Sequence, residues 1–470
     1  MNLLPGKNNL SFIKGDLEHF PGFSEDGLMF DFECVQRFKY FHRTWLGPFL
    51  SMVQVYHPDT LREVIKTTSS KPRQLSVTSS YDMALPWLGE GLILTNGDRW
   101  YRNRRLLTPA FHFDILKSYM CVYNACSSLL HKKIREHSDV GKSFDIHPLI
   151  SKYTLDVLLR CAFSYQSNCQ MEAEPGKYAK TIAELQQLFS VRVLNPLFYS
   201  KITYILTSQG RRFYKLCDIA HQEAETIIKK RKEELTSNSE STSKRKYRDF
   251  LDTMITATDE NGNGLSDLEI RNEVDTFLFA GHDTTASGIL WTLLALAQHP
   301  EHQDIVYNEV MTVLEDGDRV LSWEDLTKLQ YTSQCIKEAL RLHSAVPMVE
   351  RMVTGKTVLN GYEIPVGTRV TLHLWNLHHN PHIWEDPHDY QPSRFHPDNV
   401  VNMDPFQFIP FSAGSRNCIG QNFAMNEMKV TVAEIVKHFK LSADSEKPAQ
   451  REVSITMKAS DGAFVYATPR

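Results

Sequence analysis

The decapeptide FSAGSRNCIG, Phe411–Gly420, sets one cysteine between two glycines and two residues after an arginine. The run that follows, IGQNFAMNEMKVTVAEIVKHF, is amphipathic with helical spacing, so Cys418 stands near a helix N-terminus. Backbone N–H groups there, turned toward the sulfur by Gly414 and Gly420, favour a thiolate, and Arg416 adds positive charge. An exposed, stabilised thiolate suits a nucleophile, a redox switch or a metal ligand. A protease nucleophile needs a paired histidine and an oxyanion hole, which this stretch does not announce. A buried, inert cysteine is the usual outcome for any one Cys, but it leaves the glycines and Arg416 unexplained.

Composition narrows the setting. The chain has 470 residues, 42% hydrophobic and 23% charged, with a net charge of −4. Length alone suits two or three domains, or one large fold. The near-neutral balance argues against a nucleic-acid binder driven by bulk charge. Eight cysteines are scattered without paired metal spacing or a disulfide framework, which fits a reducing compartment. The N-terminus has no signal-peptide pattern, and no run of about 18 uncharged apolar residues predicts a transmembrane helix. The chain as given is expected to be soluble or peripherally bound.

Most of the chain reads as helix. Residues 58–67, 98–136, 146–162 and 211–235 carry apolar positions three and four apart. Alternation predicts strands at 50–56 and 369–375, with turn chemistry at 361–368. The polar segment 236–246 reads as a solvated loop between helices. The clearest helix follows Ser266, which forms a capping box with Glu269, and ends before His299-Pro300. Its roughly 32 residues span about 48 Å. The middle, FAGHDTTASG, is poor in helix formers. Two readings stand level: small residues packed closely on another helix, or a helix opened locally to admit a ligand.

The pattern F-x-x-G-x-R-x-C-x-G, met here by Phe411, Gly414, Arg416, Cys418 and Gly420, resembles the heme-binding loop of the cytochrome P450 superfamily. There the cysteine thiolate is the axial ligand of heme iron. Other motifs fall in the same order. Glu338-x-x-Arg341 resembles the family's E-x-x-R pair, and Arg394 matches the arginine that joins it. Alone, such a pair reads as a surface ion pair. Trp100-x-x-x-Arg104 is similar to the helix whose Trp and Arg meet a heme propionate, although Arg104 also belongs to a basic run with Arg102 and Arg105. Arg351 lies where the family often has another propionate-binding arginine. AGHDTT, Ala280–Thr285, resembles the oxygen-activation motif, which implies room beside Ala280 and Gly281 and a proton relay through Asp283 and Thr284.

Longer stretches, including PWLGEGLILTNGDRW and LLTPAFHFDILKSYM, are similar to family 4, the fatty-acid and eicosanoid ω-hydroxylases, and most similar to its leukotriene-hydroxylating branch. The resemblance implies a mainly α fold with a small β-region, one heme-thiolate monooxygenase domain over residues 1–470, and a b-type heme. It also implies NADPH and a cytochrome P450 reductase as electron source, cytochrome b5 as a second donor, a lipid substrate, and the cytoplasmic face of the endoplasmic reticulum membrane. Two departures are visible. The membrane-anchoring helix that opens microsomal members is absent, so the anchor was lost or removed or the sequence is partial. Peripheral attachment would then fall to the apolar stretch 189–206, which also reads as ordinary helix core with a connecting turn. Ala280 stands where most members carry the glutamate that esterifies a heme methyl, so the heme is expected to be held without that bond, and strict ω-selectivity is open. A heme-thiolate isomerase or dehydratase acting on lipid peroxides, and a noncatalytic heme protein, are the alternatives; the intact Asp283-Thr284 pair speaks against both.

Overall fold

Ser266 caps the longest helix as its spacing predicts. Its hydroxyl accepts from the Glu269 N–H at 3.3 Å while the Glu269 carboxylate accepts from the Ser266 N–H at 2.9 Å. The helix then runs without interruption from Asp267 to Gln298. The computed structural model describes residues 1–470 apart from 2, 8–10, 12–13, 48–49, 69, 74–78, 173–175, 238–248, 316 and 318. In chain order, the helices used below are α1 (Pro58–Thr67), α2 (Gly97–Leu107), α3 (Met120–Ser138), α4 (His147–Phe163), α5 (Asp267–Gln298), α6 (Gln330–His343) and α7 (Gln421–His438). The strands are β1 (Phe41–Leu46), β2 (Leu50–Val55), β3 (Met348–Met352) and β4 (Arg369–His373). The fold is mainly α with a small β-region.

The chain divides into two compact units. The first comprises residues 1–79, 334–418 and 449–462. Its four-stranded sheet has the order β1-β2-β4-β3, with β2 and β4 parallel and the outer pairs antiparallel. Val53, Val55, Val370 and Leu372 bury against Leu61 and Val64 of α1. This core holds β3 and the loop 411–418 on one framework.

The second unit comprises residues 80–333, 419–448 and 463–470. Here α5 packs chiefly on α4 and also on α7 and the strand Phe439–Ala443. It is buried almost all round, so buried residues, mostly apolar but including Asn272, Glu273, Asp275 and His282, fall on nearly every face. That strand joins Phe464–Pro469 and Phe144–Asp145 in a small antiparallel sheet.

The structure revises three local expectations. The single helix expected over 98–136 is three: α2, then Phe113–Ser118, then α3, with a 3₁₀ turn at Thr108–Phe111 between the first two. Pro109 lacks the N–H a continuous helix needs, while the apolar spacing continues past it. Within the expected turn 361–368, Tyr362–Ile364 is a strand paired with Thr357–Leu359 around Asn360 and Gly361, both at positive φ. Its three residues are too few for alternation to register. β4 ends at His373, whose ring accepts the Asn376 N–H at 3.3 Å and starts a short helix, so Leu374 and Trp375 are not strand. Of the expected loop 236–246, Thr236 and Ser237 end the helix Ser208–Ser237, and 238–246 lie outside the described residues.

Candidate active site

In the first unit the loop carrying Cys418 is closed by one hydrogen bond, from the Cys418 N–H to the Phe411 carbonyl at 2.9 Å. Gly414 sits at φ 70°, and a Cβ there would come within 2.6 Å of Ile65 Cγ2 on α1. Only glycine meets both conditions. Gly420 differs: it caps α7 at φ −90° and ψ 11°, a conformation open to any residue. The loop presents Cys418 exposed, with Phe411 and Arg416 half-buried.

Beside this loop lies a group of cations. Arg351 of β3 is 2% exposed and donates to the Glu350 carbonyl at 3.0 Å. The Met352 N–H donates to the Ser70 carbonyl at 2.9 Å, which brings the segment after α1 alongside β3 and buries Lys71 there. Burial, then the charges of Arg351 and Arg416, hold the Lys71 ammonium well below the usual lysine range, with Glu350 opposing. Glu350 in turn accepts from Arg369 at 3.1 and 3.2 Å. Buried Lys71 and Arg351 and half-buried Arg416 thus converge, basic groups that suit a ligand bearing two carboxylates. Nothing in the sequence marks Lys71; its neighbours in SSKPRQ carry no motif, and tertiary pairing alone brings it there.

The E-x-x-R pair is no surface pair. Glu338 and Arg341 are fully buried and joined by two bonds of 2.7 and 2.8 Å. The other donors of Arg341 go to the carbonyls of His378, Pro387 and Asp389 at 2.7–2.9 Å. All five N–H groups are used. Arg394 reaches Glu338 at 3.3 Å, as the motif implies, and the Gln391 N–H donates to the same carboxylate oxygen at 2.9 Å.

In the second unit, α5 is buried from Asn272 to Ala297 except at Ala280, Gly281, Asp283 and Thr284. Positions three and four apart share a face, so these four make one accessible strip. Thr284 Oγ donates to the Ala280 carbonyl at 2.7 Å, and Thr285, on the buried side, donates likewise to Gly281 at 3.0 Å. The helix is not opened here. A Cβ on Gly281 would come within 2.7 and 2.9 Å of Leu158 on α4. The room expected beside Gly281 is therefore filled by Leu158, and close packing is the reason for that glycine. On α2, Trp100 is buried and Arg104 half-buried one turn later. The basic run divides: Arg102 pairs with Asp259 at 2.9 Å and Glu269 at 3.4 Å, Arg105 pairs with Glu260, and Arg104 takes the Trp100 side. Glu273 of α5, also unmarked in sequence, accepts from the Leu92 N–H and the Asn103 amide, both at 3.0 Å, and burial pushes its carboxyl up to about 7.

In the first unit the donor set fits heme: one exposed cysteine in a glycine-shaped loop, beside basic side chains that suit propionates. In the second, α5 has one accessible strip carrying an acid and an alcohol. Comparison with known proteins agrees. The cytochrome P450 family model matches residues 13–464. The chain belongs to the cytochrome P450 family. This P450 is 40% identical to cytochrome P450 4F4 of Rattus norvegicus over 454 residues, 95% of this chain and 86% of the relative. It is 39% identical to cytochrome P450 4F2 of Homo sapiens over 455 residues, 95% and 86% of the two chains. It is 40% identical to leukotriene-B4 omega-hydroxylase 3 of Mus musculus over 433 residues, 90% and 82%. This P450 is a monooxygenase of the heme-thiolate kind. No helix among its described residues is long and apolar enough to cross a membrane.

Proposed function

We propose that this P450 hydroxylates a long-chain fatty acid or eicosanoid at or near the ω carbon, with NADPH electrons delivered by a reductase and with cytochrome b5 as a second donor. Residues 1–470 work as one catalytic domain in this reading. The observation that carries it is the accessible strip on an otherwise buried α5, which offers Asp283 and Thr284 and little else, in a chain whose relatives include a leukotriene-B4 ω-hydroxylase.

Heme, when bound, supplies oxygen activation; the protein positions and protonates. Cys418 would supply the thiolate to heme iron, its loop held shut by the Phe411 carbonyl. In the first unit Arg351, Arg416 and Lys71 would offer cations to a heme propionate; in the second, Trp100 and Arg104 match the family's propionate-binding motif. Lys71 gains a proton when a carboxylate joins it, because opposite charge restores the ammonium that burial disfavours. Thr284 spends its only O–H on the Ala280 carbonyl, so its lone pairs face outward and hold water as an acceptor. Asp283, adjacent on the strip, supplies the proton to that water. Ala280 ends at Cβ and has no oxygen for an ester, so heme is held by the thiolate and noncovalent contacts alone.

Attachment to the endoplasmic reticulum membrane is supported by 189–206. There Leu197, Ile202 and Leu206 are 76%, 73% and 72% exposed around the turn Pro196–Phe198 and the helix Lys201–Leu206. So many large apolar side chains in water mark an interaction surface.

The test is product analysis with reductase, NADPH and C12–C20 fatty acids plus leukotriene B4. NADPH-dependent hydroxylation near the ω end is expected, along with the thiolate Soret band of the reduced CO complex and its loss in Cys418→Ser. Turnover of lipid hydroperoxides without reductase, and none with it, would overturn the reading in favour of an isomerase or dehydratase.

A further inference from the structure

Away from the α5 strip, in the second unit, His131 of α3 meets Glu434 and His438 of α7. One ligand atom from each lies within 4.8 Å of the others. Glu434 and His438 are four residues apart, one turn of α7, so both face α3. Glu434 Oε2 is 3.6 Å from His438 Nε2, and the two imidazole rings lie 4.4 Å apart, tilted by 56°. Glu434 is 5% exposed, yet its Oε1 has no hydrogen-bond partner. Nor has the shielded Nε2 of His131. A buried carboxylate oxygen and a buried imidazole nitrogen that both go without a partner are costly.

We propose that His131, Glu434 and His438 form a site for a divalent transition metal of the Zn²⁺ class, clasping α3 to α7. Two imidazoles and one carboxylate are a familiar donor set for such ions, with a fourth position left to water. Half-exposed His438, 37% accessible, lies on the solvent side and gives the ion its way in. Bonds of about 2.0–2.2 Å require the donors to draw inward, which rotation of His438 allows. Burial, then His438, pushes His131 down to about 4, so its imidazole is neutral at pH 7 and free to coordinate. Two cations are near. Arg135 stacks over Phe439 at 5.4 Å, and Lys437 donates to the Arg319 carbonyl at 3.3 Å. Both are turned to other partners, and the Glu434 carboxylate offsets their charge.

The experiment uses the heme-loaded protein dialysed against Zn²⁺, with bound metal counted by elemental analysis and thermal unfolding followed with and without EDTA. Wild type is expected to hold one tight zinc and to show a rise in Tm that EDTA reverses. Glu434→Gln and His438→Ala should each weaken that zinc by more than roughly a hundredfold, since losing a group that only hydrogen-bonds a ligand already costs roughly 10–100-fold, and abolish the rise, with heme content unchanged. Glu434→Gln keeps the size of the buried side chain, and His438→Ala acts at a half-exposed position, so at least one gives folded protein. Wild type that binds no tight zinc, or folded variants with the same zinc count and thermal rise, would overturn the site.

Discussion

Two buried charge clusters in the first unit invite comparison. Around Arg341, every donor has an acceptor: one carboxylate gripped twice and three backbone carbonyls. Around Lys71, Arg351 and Arg416, cations crowd one another, and the opposing carboxylate, Glu350, also serves Arg369. Both clusters take charge out of water, which is costly unless it is fully compensated. The first is complete and specifies a scaffold. The second sets three basic side chains near one another, with Glu350 opposing.

The largest test breaks the complete cluster. Arg341→Ala removes two bonds to buried Glu338 and the donors of three backbone carbonyls, and should cost about 3–5 kcal/mol, a large share of a typical stability of about 5–15 kcal/mol. Little folded protein is expected, read as loss of the cooperative transition in urea. Full stability in that variant would show that the network contributes nothing.

A second test uses a carboxylate between the two extremes. Glu273 has two hydrogen bonds and no bonded cation. Its carboxyl lies near 4.5 unfolded and is pushed up to about 7 folded. Its contribution is therefore complete below pH 4.5 and is lost as pH rises through about 7, in all roughly 3 kcal/mol at 1.36 kcal/mol per unit. Glu273→Gln should flatten the stability curve in that window. Parallel wild-type and variant curves would mean that Glu273 does not titrate there.

The cation-rich cluster should respond with opposite signs. Lys71→Met should stabilise the heme-free protein by on the order of 1 kcal/mol, because a buried amine whose ammonium form burial disfavours is replaced by apolar bulk. The same variant should release heme several-fold faster to an apomyoglobin acceptor. Destabilised apoprotein together with unchanged heme release would make Lys71 structural. Smallest in stability is Thr284→Ala, within about 0.5 kcal/mol. Its effect falls on coupling: NADPH electrons should go to peroxide or water instead of product, while Thr285→Ala keeps coupling. Equal coupling in both variants would remove Thr284 from the relay.

Much of this was legible beforehand. The Ser266–Glu269 box and His299-Pro300 gave both ends of α5, because caps and breakers act within one turn. The Cys418 loop, the E-x-x-R pair and the α2 motif were readable because a long pattern survives at fixed spacing. Pro109 was passed over because the apolar spacing runs on beyond it. The glycine at 281 was read as room for a ligand, whereas Leu158 fills it, a contact more than a hundred residues away in sequence.

Local chemistry in the sequence alone determined the family and the mainly α fold, and marked Cys418 and the Asp283–Thr284 pair as the candidate ligand and relay, since each depends on neighbours within a few positions along the chain. Tertiary structure alone decided that the Arg341 network is complete, that Lys71 is buried beside Arg351, which face of α5 stays accessible, and that His131 meets Glu434 and His438. Burial and pairing are sums over groups that only folding brings together, and Lys71 becomes a buried amine only where the segment after α1 is laid against β3.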